Sequence, residues 1–80
     1  MPLFLLHHRH EPAECQAAFA AWAGFESPLR HAPVLSTCLA GEHRLWWRVE
    51  ATDRRRALAQ LPPFVASRTE AIAVREVHVP

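Results

Sequence analysis

Lysine, tyrosine and asparagine are all missing from this chain of 80 residues. The absence of lysine excludes Schiff-base chemistry on a side-chain amine, and the absence of tyrosine excludes a phenolic general acid. The basic residues are therefore nine arginines, and eight acidic residues leave a formal net charge of +1. A charge this close to balance argues against nucleic acid or an anionic membrane as the main partner.

Cysteines and long apolar runs are also scarce. The two cysteines, Cys15 and Cys38, cannot make a disulfide framework, and we expect both to be reduced, buried thiols. The first apolar run covers residues 2–6 only and follows no basic segment, so it is too short for a signal peptide or a membrane span. These features predict a cytoplasmic protein.

Apolar residues as a class are plentiful. They make up 50% of the chain and include three tryptophans and four phenylalanines, which excludes disorder. Eighty residues form a single domain, residues 1–80, whose core is marginal for an isolated monomer. We therefore expect a second subunit to cover part of the apolar surface.

Apolar alternation and helix-forming runs predict six elements of secondary structure. In chain order they are a strand over residues 2–10, a helix over 12–23, strands over 34–40 and 43–51, a helix over 53–61 and a strand over 69–79. This order predicts an α+β, ferredoxin-like βαββαβ fold, in which two helices cover one face of a four-stranded antiparallel sheet. The uncovered face carries Trp46, and burying that face against a second copy predicts a homodimer or a larger homo-oligomer.

Three segments carry a family resemblance. The opening Met-Pro-Leu-Phe-Leu-Leu, the run at residues 61–64 (Leu-Pro-Pro-Phe) and the last strand at residues 72–77 (Ile-Ala-Val-Arg-Glu-Val) resemble muconolactone isomerase-like proteins of the dimeric α+β barrel superfamily. The resemblance implies homodimers and cofactor-free chemistry on, or binding of, small aromatic-derived or polyketide-like molecules. A second, weaker resemblance is to small ferredoxin-like nickel-binding proteins, which pair a histidine near the end of the first strand with other ligands.

Three histidines are clustered at the end of the first predicted strand, as His7, His8 and His10. Side chains alternate along a strand, so His8 and His10 share one face and His7 lies on the other. The pair is open to three interpretations: polar residues at a strand end, groups that move a proton or touch substrate, or ligands of one metal ion. A tight metal site would need a third ligand, such as Cys15, His43 or a residue of a partner chain.

The third predicted strand presents polar and aromatic residues on its outer face. Trp46 can supply a flat apolar wall for a ligand, and Arg48 can hold a carboxylate through two hydrogen bonds. Glu50 could act as a base if it is desolvated. The alternative is that Arg44, Trp46, Arg48 and Glu50 serve ion pairing and packing between subunits.

The favoured function is therefore a homodimer that binds or isomerises a small aromatic-derived or polyketide-like acid without a cofactor. The catalytic candidates are His8, His10 and Glu50, and the substrate-binding candidates are Trp46, Arg48 and Arg44. One alternative is binding of nickel, copper or zinc through His8, His10 and Cys15. Another is a non-catalytic assembly module. Whether the protein is an enzyme stays open at the level of the sequence.

Overall fold

The protein is described by a computed structural model that covers the backbone of Met1–Pro80 and every side chain except that of Leu39. The chain has four strands, β1 (Leu3–Arg9), β2 (Leu35–Ser36), β3 (Arg44–Glu50) and β4 (Thr69–Val74). They form one antiparallel sheet in the order β2-β3-β1-β4. The helices are α1 (Cys15–Ala20), α2 (Arg54–Leu58) and α3 (Pro63–Ala66), with single 3-10 turns at Pro12–Glu14 and Cys38–Ala40. The fold is α+β, as predicted.

The core lies on one face of the two central strands. Phe4 and Leu6 of β1 stand opposite Val49 and Trp47 of β3, and all four are buried. Side chains of the short helices join the same cluster, which further contains Ala51, Ala57, Leu61, Val65 and Ala71. The predicted alternation along β3 is confirmed. Arg48, which lies between the buried Trp47 and Val49, is exposed, and so is Glu50, which follows Val49. We call the two sides of the sheet the core face and the open face.

The helices are shorter than the predicted ones. The first begins as a 3-10 turn at Pro12 and ends at Ala20 rather than at residue 23. The second ends at Leu58, and a separate helix begins at Pro63. The break has a local cause, because Pro62 has no amide hydrogen and a residue that precedes a proline is disfavoured in helical conformation. Pro63 then occupies the first position of α3, where a missing amide hydrogen costs nothing.

The two outer strands are also shorter than predicted. Only Leu35 and Ser36 pair in β2, and the chain then turns through Cys38–Ala40 to Gly41, whose positive φ of 91° suits glycine. Strand β4 ends at Val74 instead of residue 79. Its partner is β1, and Val74 pairs with Leu3, the first residue of that strand. The ladder therefore ends there.

Candidate metal centre

The histidine cluster is divided between the two faces of the sheet. His8 is fully buried on the core face, where it pairs across the sheet with Leu45. His7 lies on the open face and stacks on Trp46, with ring centroids 5.2 Å apart and planes inclined by 10°. His10 follows β1 and is buried next to His8. The predicted separation of His7 from the pair of His8 and His10 is therefore confirmed, and the pair occupies the core face.

Hydrogen bonds determine which ring nitrogen of His8 carries the proton. Its Nδ1 lies 3.2 Å from the carbonyl oxygen of Val65 and 3.1 Å from the hydroxyl oxygen of Thr69. The Thr69 hydroxyl donates its hydrogen to the same Val65 oxygen at 2.6 Å. A carbonyl can only accept, and the hydroxyl has already used its hydrogen, so Nδ1 of His8 must be the donor.

The position of the proton on the His10 ring follows from that on the His8 ring. Burial lowers the pKa of both His8 and His10 below the usual value, so both rings are neutral at pH 7. Neutral His8 with a proton on Nδ1 has a lone pair on Nε2, which accepts a hydrogen bond from Nδ1 of His10 at 2.8 Å. The lone pair of His10 is consequently on Nε2, the nitrogen that faces Cys15.

Cys15 and His43 complete a convergent group of donor atoms. Sγ of Cys15 lies 3.3 Å from Nε2 of His10 and 3.0 Å from Nδ1 of His43. The three donor atoms all lie within 4.8 Å of one another, and His10 is buried while the other two are half-buried. We call these three residues the His-Cys-His cluster.

Local structure brings each member of this cluster into place. The amide of His10 donates to the carbonyl oxygen of His43 at 3.1 Å, which extends the pairing of β1 with β3 by one step. Cys15 is the first residue of α1, and Glu14 immediately before it is held by Nε of Arg68 at 2.8 Å. This ion pair lowers the pKa of Glu14, which stays charged and anchored at neutral pH.

The spacing of the cluster is close to that of a metal site. Zinc–nitrogen bonds of ~2.0 Å and a zinc–sulfur bond of ~2.3 Å in a tetrahedral site give nitrogen–sulfur separations of about 3.5 Å. The observed separations of 3.0 and 3.3 Å need only small side-chain rotations to reach that value. A polar surface cavity of about 290 Å³ opens at His10 and His43, which leaves room for a fourth ligand from solvent.

The structure does not bring the proposed catalytic residues together. Glu50 is exposed at the far end of β3, opposite Leu3. It lies five residues beyond Leu45, the strand partner of His8, which is about 17 Å along the strand. It also lies on the open face, whereas His8 and His10 are on the core side. A proton transfer shared between Glu50 and the histidine pair is therefore geometrically excluded within one chain.

The proposed substrate-binding residues have other partners. Exposed Arg48 forms an ion pair with Glu76, and Nε of Arg44 lies 3.5 Å from a carboxylate oxygen of Glu42. Trp46 is half-buried, because the His7 ring covers part of its surface. Arg44 lines the polar cavity beside the His-Cys-His cluster rather than a site with Trp46.

Sequence reasoning identified part of this centre. The metal-binding alternative names His10 and Cys15 as ligands, and the structure places their donor atoms together. The same alternative names His8, but its Nε2 faces Nδ1 of His10 instead of Cys15. His43 was one of several candidates for the third ligand. The signal that would have selected it is strand register, since pairing of Arg9 with Arg44 makes residues 10 and 43 neighbours.

Comparisons of this chain with protein-family models, with curated proteins and with solved structures found no match. The resemblance to muconolactone isomerase-like proteins therefore stays a prediction. In the part of the chain that the structure describes, no helix has the length and apolar character needed to cross a membrane.

Proposed function

We propose that this protein binds a transition-metal ion of the zinc class through Nε2 of His10, Sγ of Cys15 and Nδ1 of His43. The observation that carries the proposal is the convergence of these three atoms within 4.8 Å from three separate segments of the chain. Two imidazoles and one thiolate suit zinc and copper, and the cluster contributes no carboxylate of the kind preferred by magnesium or calcium.

The surroundings of His10 support this assignment. Histidines that bind metals usually donate their second ring N–H to a fixed acceptor, which orients the ring and raises its basicity. Here Nδ1 of His10 donates to Nε2 of His8, and His8 is itself held by Val65 and Thr69. The lone pair on Nε2 of His10 thus faces the cluster before any metal arrives, so little reorganisation accompanies binding.

With three protein ligands, the fourth position would be open to the polar cavity at His10 and His43. An ion held there would supply Lewis acidity to a bound water or small ligand. Cysteine binds metal as its thiolate, so Sγ of Cys15 would hold the ion without a proton.

Cobalt titration of metal-free protein tests the proposal. We expect saturation at one Co²⁺ per chain, with a near-ultraviolet band from thiolate-to-cobalt charge transfer. Cys15→Ser should abolish that band, while Cys38→Ser, which changes the other cysteine, should retain it. Absence of saturable binding, or an unchanged charge-transfer band in Cys15→Ser, would overturn the proposal.

Histidine variants test the other two ligands. Loss of a residue that only hydrogen-bonds to a metal ligand lowers metal affinity roughly 10- to 100-fold. His10→Ala and His43→Ala remove ligands themselves, so they should weaken zinc binding by more than that. His31→Ala and His78→Ala provide matched controls, since both are exposed. Competition between Zn²⁺, Cu²⁺ and Ni²⁺ then ranks the affinities of the site for these three ions, which are the ones that the sequence suggested.

We further propose that the fold is ferredoxin-like and that the open face mediates homodimerisation. The strand order and the antiparallel pairing support the first point. An apolar patch supports the second, because Leu35 is 73% exposed beside Trp46, and Ile72 and Val74 are also exposed. Leu35→Glu should shift a dimer to monomer in sedimentation velocity, whereas Val79→Glu, outside the sheet, should leave it unchanged.

Binding or isomerisation of a small aromatic-derived or polyketide-like acid on the open face stays a prediction, as does the assembly-module alternative. Of its proposed residues, Trp46, Arg48 and Glu50 are on that face, but His8 and His10 are not. Of the catalytic candidates, this function would keep only Glu50 on the open face, and His7 beside Trp46 is the histidine in position to supply a second group.

A further inference from the structure

A large groove on the core side of the sheet is not used by the proposed metal site. Its volume is about 570 Å³, within the range of roughly 300–1,000 Å³ that small-molecule sites occupy. Trp22 and Trp47 supply aromatic surface, with ring centroids 6.1 Å apart and planes inclined by 47°. Leu29 and Phe19 extend the apolar lining. The shape and composition suit a flat, largely apolar molecule.

A phenyl ring beside this groove is largely exposed to solvent. Phe19, in helix α1, lines the groove and is 70% exposed, which is unusual for a large apolar side chain. A small ligand in the groove would cover part of this ring, which would remove apolar surface from water. The exposed phenyl ring therefore adds to the aromatic surface available to a ligand.

A cationic side chain lines the groove. It belongs to Arg30, and no aspartate or glutamate is among the described lining residues. Nη1 of Arg30 does lie 3.9 Å from a carboxylate oxygen of Glu26, but the Glu26 side chain is 95% exposed. An exposed pair at that separation is weak, so the guanidinium can exchange it for a ligand anion held by two hydrogen bonds.

We propose that this groove binds an aromatic molecule that carries a single anionic group, such as a carboxylate. The ring system lies against Trp22 and Trp47, and the anion pairs with Arg30. The proposal goes beyond metal binding and does not depend on it. The two sites are nevertheless adjacent, because a small void of about 20 Å³ shares Trp22 with the groove and reaches His8 and His10.

Indole N–H signals in a proton–nitrogen NMR spectrum give a direct test, because the chain has three tryptophans. The probe is 2-naphthoate, and 2-naphthamide is its uncharged match. We expect naphthoate to shift the signals of Trp22 and Trp47 saturably and to leave that of Trp46, on the open face, in place. Tryptophan-to-phenylalanine variants assign the three signals.

Two arginine variants test the role of charge. Arg30→Gln should weaken naphthoate binding by about tenfold, the loss expected for one partly exposed charge-assisted contact, and should leave naphthamide binding unchanged. Arg75→Gln, an exposed position beyond the end of β4 and outside the groove lining, should bind naphthoate as the unmodified protein does. Phe19→Ser removes an exposed side chain and should weaken both probes.

The proposal is overturned if naphthoate shifts all three indole signals alike or none of them, if naphthamide binds as tightly as naphthoate, or if Arg30→Gln binds naphthoate normally. Cobalt titration of the same Arg30→Gln sample reports on the metal site separately. Failure of the groove proposal with intact cobalt binding is thereby distinguished from failure of the proposed metal function.

Discussion

Nε2 of His8 accepts a hydrogen bond from Nδ1 of His10 at 2.8 Å, and both rings are buried. This single contact connects the core of the protein to the His-Cys-His cluster. On one side, His8 is held by the Val65 carbonyl and the Thr69 hydroxyl. On the other, the contact leaves the lone pair of His10 directed at Cys15. His8 thus sets the orientation of a donor atom of the cluster, Nε2 of His10, that it does not itself contact.

Replacement of His8 should weaken metal binding without removal of a ligand. His8→Leu deletes the acceptor for Nδ1 of His10, and we expect zinc affinity to fall roughly 10- to 100-fold. His8→Gln keeps an oxygen that can accept the same hydrogen bond and should lie between His8→Leu and the unmodified protein. Competition titration with a chromophoric chelator measures both. His7→Leu on the open face is the matched control, and an effect equal to that of His8→Leu would argue against a positioning role.

The metal-free protein should lose stability as the pH falls below about 6.5. The pKa values of His8 and His10 are lowered by burial, so protons bind to the unfolded chain at a higher pH than to the folded chain. The free energy of unfolding should therefore be flat above pH 7 and should fall in the range from 6.5 to 5, by at most ~1.4 kcal/mol per pH unit for each extra proton.

Urea denaturation at several pH values checks this dependence, and His8→Leu should reduce its slope. Glu14 does not interfere in that range. Its pKa is lowered from 4.5 by Arg68, so its contribution is lost only as the pH falls further, below 4.5. A free energy of unfolding that rises from pH 7 to pH 5 would contradict the assignment of neutral, buried histidines.

Zinc should stabilise the folded protein by an amount that grows with the logarithm of the ratio of free zinc to the dissociation constant. At a free zinc concentration 100 times the dissociation constant, the expected gain is about 2.7 kcal/mol. For a domain of this size, that gain corresponds to a rise in the melting temperature on the order of 10–20 °C. Differential scanning fluorimetry with zinc or with a chelator measures the difference. Cys15→Ser should lose this rise and Cys38→Ser should keep it, whereas equal loss in both variants would indicate non-specific binding.

Truncation of the central core residue of β1 should strongly destabilise the protein. Leu6 has no exposed surface, and Leu6→Ala should cost about 2–5 kcal/mol through lost burial and the cavity that remains. Leu35→Ala removes a mostly exposed side chain and should change stability by less than about 0.5 kcal/mol in the monomer. Far-ultraviolet circular dichroism during urea titration compares them, and equal midpoints would contradict the described core.

Alternation along β1 and β3 was readable from the sequence because neighbouring side chains of a strand point to opposite faces. It predicted that Trp47 and Val49 are buried and that Arg48 and Glu50 are not. The same rule separated His7 from His8 and His10. Which of the two faces would hold the histidine pair was not readable, because Leu3 and Leu5 on the alternate positions are apolar as well.

Element ends were less predictable, because they depend on partners. Strand β4 is followed by valines out to residue 79, but it stops at Val74, opposite Leu3, the first residue of its partner strand. The length of a strand at the edge of a sheet is therefore set by its neighbour as much as by its own residues.

The sequence by itself determined the residue types available for chemistry and the alternation that places His8 and His10 on one face, since both are local properties of the chain. Tertiary structure alone decided which side chains meet. His43 is 28 residues from Cys15, and only the pairing of β1 with β3 brings its ring to the thiol. That register results from burial of the whole core face, a long-range effect that local periodicity does not contain.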